Sequence, residues 1–191
     1  MPTRREAIVK AAGDIFATKG FMGAKVREIT DEAGILSGSL YHHFDSKEAL
    51  ALEVVQGYYE SMLRSFRTVA GSSLDPGDMF VELIRVSCKG IAQSPGAVGL
   101  LLNSGHYLLA LPRFAAVACM NDEIRRIWIG VLEAGRASGE WKADLDPDLV
   151  YRSVRDVLAG AVRWWSDEGR FSIDELAERY AEMLLYGIGT A

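Results

Sequence analysis

Lys25–Leu50 reads KVREITDEAGILSGSLYHHFDSKEAL, and this stretch decides the fold. Val26, Ile29 and Ala33 recur at helical spacing and give a first short helix one apolar face. Gly34 stops it where a left-handed backbone costs little. Ile35 and Leu36 form a short apolar link. Ser37 is the expected cap of a second helix, whose apolar pair is Leu40 and Phe44 at i, i+4. Ser46 is placed to cap a third, opening at Lys47-Glu48. Helix, short glycine-containing turn and short helix form the helix-turn-helix pattern, in which the second helix enters the major groove of DNA.

The second helix suits that task because its outer face is small or hydrogen-bonding and carries no carboxylate. The expected DNA-facing set is Lys25, Arg27, Ser37, Gly38, Ser39, Tyr41, His42, His43 and Lys47. Tyr and His can donate to phosphate oxygens, while Ser39 is the better candidate for reading a base edge. Lys25 and Arg27 open the first helix and Lys47 opens the third. Helix starts already favour phosphate, and a cation there adds to that. Arg4 and Arg5 stand near the N-terminus, either solvated or within reach of a neighbouring phosphate. The competing reading of the same pattern is an ordinary three-helix fragment with an aromatic corner.

Composition limits the partners. The chain has 191 residues and a formal net charge of −5. The first 50 residues hold seven Lys/Arg and seven Asp/Glu, so the negative excess lies wholly beyond them. Contact with double-stranded DNA is therefore expected to be local and N-terminal. Cys88 and Cys119 form no CxxC pair and read as free, buried thiols of a reducing compartment. The polar, basic start is not that of a signal peptide, so the expected location is cytoplasmic. Residues 90–112 carry no formal charge, but Gln93, Pro95, Gly96, Asn103, Gly105 and His106 interrupt them, which argues against a membrane span.

The rest of the chain reads as helices, with no period-two strand pattern and no internal repeat. The expected fold is all-α: a three-helix DNA-binding domain over 1–50, then a helical ligand-binding and dimerisation domain over 51–191. Helix 1 runs from Thr3 to Lys19, with Gly20 as its stop. A long helix covers Lys47 to about Val69, followed by the loop AGSSLDPG (70–77). Asp78–Gln93 is helical, and Ser94-Pro95-Gly96 breaks it. Ala97–Leu109 reads as a short apolar helix, irregular around Gly105. Phe114–Ser138 is a long helix closed by Gly139. Asp146-Pro147-Asp148 is a strong helix start, and the helix is expected to reach about Asp167. Ser172 and Glu175 form a capping box for the last helix.

Enzyme chemistry is missing from the pattern. The histidines are His42, His43 and His106, and adjacent helical side chains point about 100° apart, so 42 and 43 make no metal pair. There is no HExxH, Cys/His cluster or GxxxxGK[ST] loop. Ser104 and His106 have no orienting acid nearby. No catalytic residue, metal or cofactor is expected. The uncharged run suits the wall of an apolar cavity instead.

Lys19-Gly20-Phe21, VREIT, EAGILSGSLYHHF and SKEAL together resemble the TetR family of bacterial one-component repressors, at motif level over about the first 50 residues. Ala24-Lys25 stand where that family usually has a hydroxyl residue. The resemblance implies a homodimer on a palindromic operator, released by a small-molecule effector. DLDPDLVYR (Asp144–Arg152), Arg155-Asp156 and VRWW (Val162–Trp165) are similar to the actinobacterial TetR-type repressors of steroid ring catabolism. Those respond to CoA thioesters, which implies an acyl-CoA or other acidic lipid or steroid catabolite here. Ala159 departs from them, standing where they place an aromatic.

On that basis Leu101, His106, Tyr107, Trp128, Arg155, Arg163 and Trp164 are the candidate effector residues. Arg155 and Arg163 lie eight residues apart on roughly one side of a helix, and a guanidinium suits carboxylate and phosphate. Asp156, beside Arg155, is expected to face elsewhere. The competing reading holds both arginines in structural salt bridges. Val154, Leu158, Ala161, Leu184 and Ile188 are the candidate dimer interface, in a bundle of the last two helices with their copies. Two other functions compete: a helical-bundle enzyme or carrier using the same cavity, and a TetR-type regulator of a cationic or drug-like effector.

Overall fold

The computed structural model describes residues 3–188, and among these the fold is all-α, with no strand. The helices are α1 (Arg4–Gly23), α2 (Val26–Glu32), α3 (Ser37–Leu40), α4 (Lys47–Ala70), α5 (Pro76–Gln93), α6 (Pro95–Leu109), α7 (Ala115–Ser138), α8 (Pro147–Gly160) and α9 (Ile173–Ile188). Short 3-10 turns lie at Pro112–Phe114 and Ala161–Arg163. No helix among the described residues is long and apolar enough to cross a membrane.

The chain forms two compact units, and they do not follow a boundary at residue 50. The first holds the chain up to Tyr59 together with Ser94–Cys119, and the second holds Glu60–Gln93 and the chain from Met120. In the first unit α6 lies along α1. Small residues allow this. A Cβ on Gly96 would stand 2.8 Å from the Gly13 backbone, and one on Gly99 would stand 2.6 Å from the Ala17 methyl. Ile8, Phe16, Phe21, Ile29, Leu40, Leu50 and Leu100 fill the core around this crossing.

α1 begins at Thr3, in a capping box with Glu6. Gly20 interrupts it as expected (φ 67°), but the chain resumes helical form to Gly23. Gly34 and Gly139 adopt the left-handed conformation read from their positions. α6 runs without a break through Gly105, contrary to the irregularity expected there. Gly105 is buried with an ordinary backbone, and its missing side chain costs helix propensity without stopping the helix.

The second unit is built on aromatic rings. Trp128 meets Phe66, Phe80 and Tyr151 at centroid distances of 6.0, 5.8 and 6.4 Å, and Phe80 meets Trp141 at 5.6 Å. α5 packs against α9 and α8. Asp146 caps α8 through the N–H groups of Asp148 and Leu149, and Ser172 with Glu175 caps α9, both as read from the sequence. α8 stops at Gly160, well short of Asp167. The N–H groups of Trp164 and Trp165 both return to the Ala161 carbonyl, and Trp165 Nε1 donates to the Phe171 carbonyl, turning the chain back.

Two more expectations need correction. Cys88 is buried, and burial pushes its thiol up to about 12, but Cys119 is exposed. Val154, Leu158 and Ala161 are 1%, 3% and 1% exposed within the single chain, so they serve its own core and cannot form a surface for a second copy. The outward face of α8 is therefore not the one its small apolar residues suggest. Small and branched apolar residues on it pack on α5, while Leu149, Val157 and, just beyond, Trp164 remain exposed.

Candidate nucleic-acid interface and effector region

The helix-turn-helix is held by hydrogen bonds from side chains to backbone groups that the helix breaks leave open. At the Gly20 interruption, the Phe21 N–H donates to Ser104 Oγ at 2.9 Å, and Asn103 Nδ2 donates to the Ala17 carbonyl at 2.7 Å. The Tyr107 ring stacks on Phe21 at 5.9 Å. α6 therefore supplies the caps for the broken α1, a role the sequence pattern did not disclose because the partners lie more than 80 residues apart.

Lys47 has a different setting from the phosphate donor read in the sequence. Its ammonium donates to the Phe21 and Ala24 carbonyls at 2.9 and 3.1 Å and lies over the Phe21 ring at 4.6 Å. Arg5 is paired with Glu53 and lies over the Phe44 ring at 4.5 Å. Asp45 is gripped by Arg113 through both guanidinium nitrogens, at 2.8 and 3.0 Å, which holds its carboxyl below the usual range. Glu28 accepts from Lys19 and from the Lys25 N–H, and its carboxyl is likewise lowered. Ser46 caps α4 through the Ala49 N–H, as expected.

Leu36, not Ser37, occupies the N-cap position of α3, and no side chain caps that helix. Ser37 is its first residue, and its hydroxyl lies 3.0 Å from Thr30 Oγ1. Lys25, Arg27, Ser37, Gly38, Tyr41, His42 and His43 are exposed on one compact unit, with Ser39 half-buried beside them. Arg27 reaches no closer than 3.8 Å to Asp31, so its guanidinium stays available. Apart from Lys47 and Ser39, both half-buried, the expected set stands open to solvent.

The effector candidates divide between the units. Leu101, His106 and Tyr107 lie on α6 in the first, with His106 and Tyr107 exposed and Leu101 half-buried. Trp128, Arg155, Arg163 and Trp164 lie in the second. Trp128 is 3% exposed and central to the aromatic core. Tyr151 joins it to Arg155, whose guanidinium sits 5.8 Å from the Tyr151 ring. Arg155 also donates to its neighbour Asp156 at 2.9 Å, so the two side chains do turn toward each other. Arg152 and Arg125 both hold Asp148, whose carboxyl is lowered by them. Arg163 has no carboxylate partner among the described residues, and Trp164 beside it is 58% exposed. Leu184 is half-buried, and the side chain of Ile188 lies outside the described residues. No group of three or more His, Cys, Asp or Glu placed to hold a metal occurs among the described residues.

Comparisons with known proteins agree with this architecture. Residues 8–54 match the model of bacterial regulatory proteins of the tetR family, and residues 73–188 match the tetracyclin repressor-like C-terminal domain. The chain is 37% identical to the HTH-type transcriptional repressor KstR2 of Rhodococcus jostii, over 98% of this chain and 92% of that one. It superposes on the ketosteroid transcriptional regulator KstR2 of Mycobacterium tuberculosis with a TM-score of 0.92 and 33% identity, covering 100% and 97% of the two chains. AibR, solved in complex with isovaleryl coenzyme A and operator DNA, shares the fold at 18% identity and a TM-score of 0.80, over 96% of this chain and 98% of that one. With repressors as its relatives over nearly its whole length, the chain belongs to the TetR family and is a helix-turn-helix transcriptional repressor, not an enzyme.

Proposed function

We propose that the protein binds a palindromic operator as a homodimer in the cytoplasm and releases it when an acidic small molecule, a CoA thioester of a lipid or steroid catabolite, occupies the C-terminal part of the chain. The observation that carries the DNA half is the exposed stretch over α3 and just beyond it, which presents Ser37, Gly38, Tyr41, His42 and His43 with no carboxylate among residues 37–43, beside Lys25 and Arg27 at the start of α2. α3 enters the major groove, and Arg27 and Tyr41 meet the phosphates on either side. The dimer forms through the exposed apolar side chains of the second unit, Leu149, Val157 and Trp164 along and just beyond α8 and Met183 and Tyr186 on α9. Five large apolar side chains left in water on the last two helices and just beyond α8 are what a symmetric interface covers.

The effector class rests on Arg163 and Trp164 and on the relatives' steroid link. Arg163 is a cation without a carboxylate partner beside an exposed indole, which suits an anionic group joined to an apolar or planar body. Arg155 is already satisfied by Asp156. Occupancy favours a state whose recognition helices no longer match the operator spacing, and the coupling is reciprocal, so operator DNA weakens the effector in turn.

The test is ligand-induced release of an operator fragment, followed by gel shift with steroid acyl-CoA thioesters, their free acids and CoA alone. Wild type and Arg155→Met are expected to release alike with the thioester, while Arg163→Met needs about tenfold more, the loss of one charge-assisted contact. If all three respond equally, the arginines are structural. If no acidic ligand releases wild type, the effector class is wrong. Val157→Glu and Tyr186→Glu are expected to yield monomers by sedimentation that no longer hold the operator.

A further inference from the structure

Leu36 is at odds with its own surroundings. It is 80% exposed and holds the N-cap position of α3, where leucine is among the poorest residues because it has no oxygen to accept a helix N–H. Its neighbours at the flanking positions are explained locally: Ile35 and Leu40 are buried at the two positions of a hydrophobic staple. Nothing in the packing of the first unit accounts for Leu36 itself.

Proton accounting narrows what the rest of this helix start can read. Thr30 is fully buried, and its hydroxyl donates to the Arg27 carbonyl at 2.9 Å. Its one proton is thereby spent, so the 3.0 Å contact to Ser37 requires Ser37 to be the donor. Ser37 keeps only acceptor capacity toward the outside. Gly38 has no side chain, and a Cβ there would meet nothing within 4 Å. The side chain that projects first and furthest from the start of α3 is the isobutyl group of Leu36.

Residues at the start of a recognition helix contact base edges, and the one apolar feature of the major groove is the thymine C5-methyl group. We infer that Leu36 is a specificity-determining residue, which selects a thymine in each operator half-site by packing on its methyl group. A leucine kept at a cap position, where serine would stabilise the helix, fits a residue retained for contact outside the chain. The inference rests on the reading that α3 occupies the major groove.

The experiment uses the full-length protein and a duplex carrying the sequence it enriches from a random pool. Each thymine is replaced in turn by deoxyuridine, which removes only the methyl group. Affinities are measured for wild type, Leu36→Ala, Leu36→Ser and Tyr41→Ala. At one thymine per half-site, deoxyuridine is expected to weaken wild type about fourfold and to leave Leu36→Ala and Leu36→Ser unchanged. Leu36→Ser restores a cap, so its Tm is expected at or above that of wild type, which separates lost contact from lost folding. Deoxyuridine costing wild type and both Leu36 variants equally at every position would overturn the assignment while α3 stays in the groove, provided Tyr41→Ala still weakens binding. Tyr41→Ala leaving affinity and salt dependence untouched would remove α3 from the groove, and the assignment with it.

Discussion

The two compact units are held together by different physics. In the first, backbone groups left open by helix breaks are closed by side chains from far along the chain: Ser104 and Asn103 at the Gly20 interruption, Lys47 on the Phe21 and Ala24 carbonyls. In the second, the centre is a set of rings, Phe66, Phe80, Trp128, Trp141 and Tyr151, with little polar specification. Directional bonds fix a geometry, which a surface that reads DNA needs. Ring packing buries a large area, and its edge-to-face preference is weaker and broader than the geometry a hydrogen bond demands. The contrast teaches that the sharply specified unit is the one that carries the helix-turn-helix, where a fixed geometry is needed to meet duplex DNA.

The strongest break of this contrast is at Trp128. As the centre of the aromatic core, Trp128→Ala is expected to cost about 3–5 kcal/mol by removing its transfer energy and leaving a cavity. Chemical denaturation reads this directly. A loss below about 1 kcal/mol, with effector response abolished, would instead make Trp128 a ligand wall and the second unit hollow at its centre.

The next effect separates two glycines in one crossing. A Cβ on Gly96 would stand 2.8 Å from the Gly13 carbonyl carbon and 2.9 Å from its Cα, backbone atoms that cannot swing away. A Cβ on Gly13 meets nothing nearer than 3.5 Å. Gly96→Ala is therefore expected to destabilise by about 1–3 kcal/mol, and Gly13→Ala to be neutral or to stabilise by up to about 1 kcal/mol from helix propensity. Equal effects in thermal melts would mean that α1 and α6 pack less closely than this.

Both results bear on what could be read from the chain alone. The helix-turn-helix, the capping box at Ser172 and the starts at Asp146 and Ser46 are local signals, with partners within a few residues, and each is found in place. What failed was assigning faces. Val154, Leu158 and Ala161 are small and apolar, which is equally the description of a core residue and of an interface residue. Only the position of α5 decides that they are core. Lys47 shows a related gap: a cation at a helix start suits phosphate, and the two carbonyls that also hold it sit more than 20 residues away, beyond any local pattern. The alliance of α6 with the helix-turn-helix left no sequence period at all, although Gly96 and Gly99 were a hint of close approach.

A smaller effect tests the capping of α1. Ser104→Ala removes the acceptor of the Phe21 N–H, leaving a part-buried donor open where α1 is already interrupted. A loss of about 1 kcal/mol is expected, with faster hydrogen exchange at Phe21 and little change elsewhere. Unaltered exchange at Phe21 would show that the break needs no cap from α6.

The smallest effect concerns charge. Arg113 holds the Asp45 carboxyl below its ordinary range, chiefly through the paired hydrogen bonds and then through its charge. A carboxyl lowered in the folded state contributes stability that is complete above its unfolded value, about 4, and is lost as the pH falls through its lower folded value. The Tm gap between wild type and Asp45→Asn is therefore expected to be open at neutral pH and to close below about pH 4. Because the pair is exposed, the gap is expected to be small and to shrink further in high salt. Carbon NMR of the Asp45 carboxyl gives the folded value independently. Titration at the ordinary value, with a Tm gap that ignores both pH and salt, would mean that Arg113 does not bind Asp45 in solution. The C-terminal end of the reading surface would then be fastened by the Lys47 bonds to the Phe21 and Ala24 carbonyls and by the packing of Phe44 and Leu50, without an ion pair to the chain after α6.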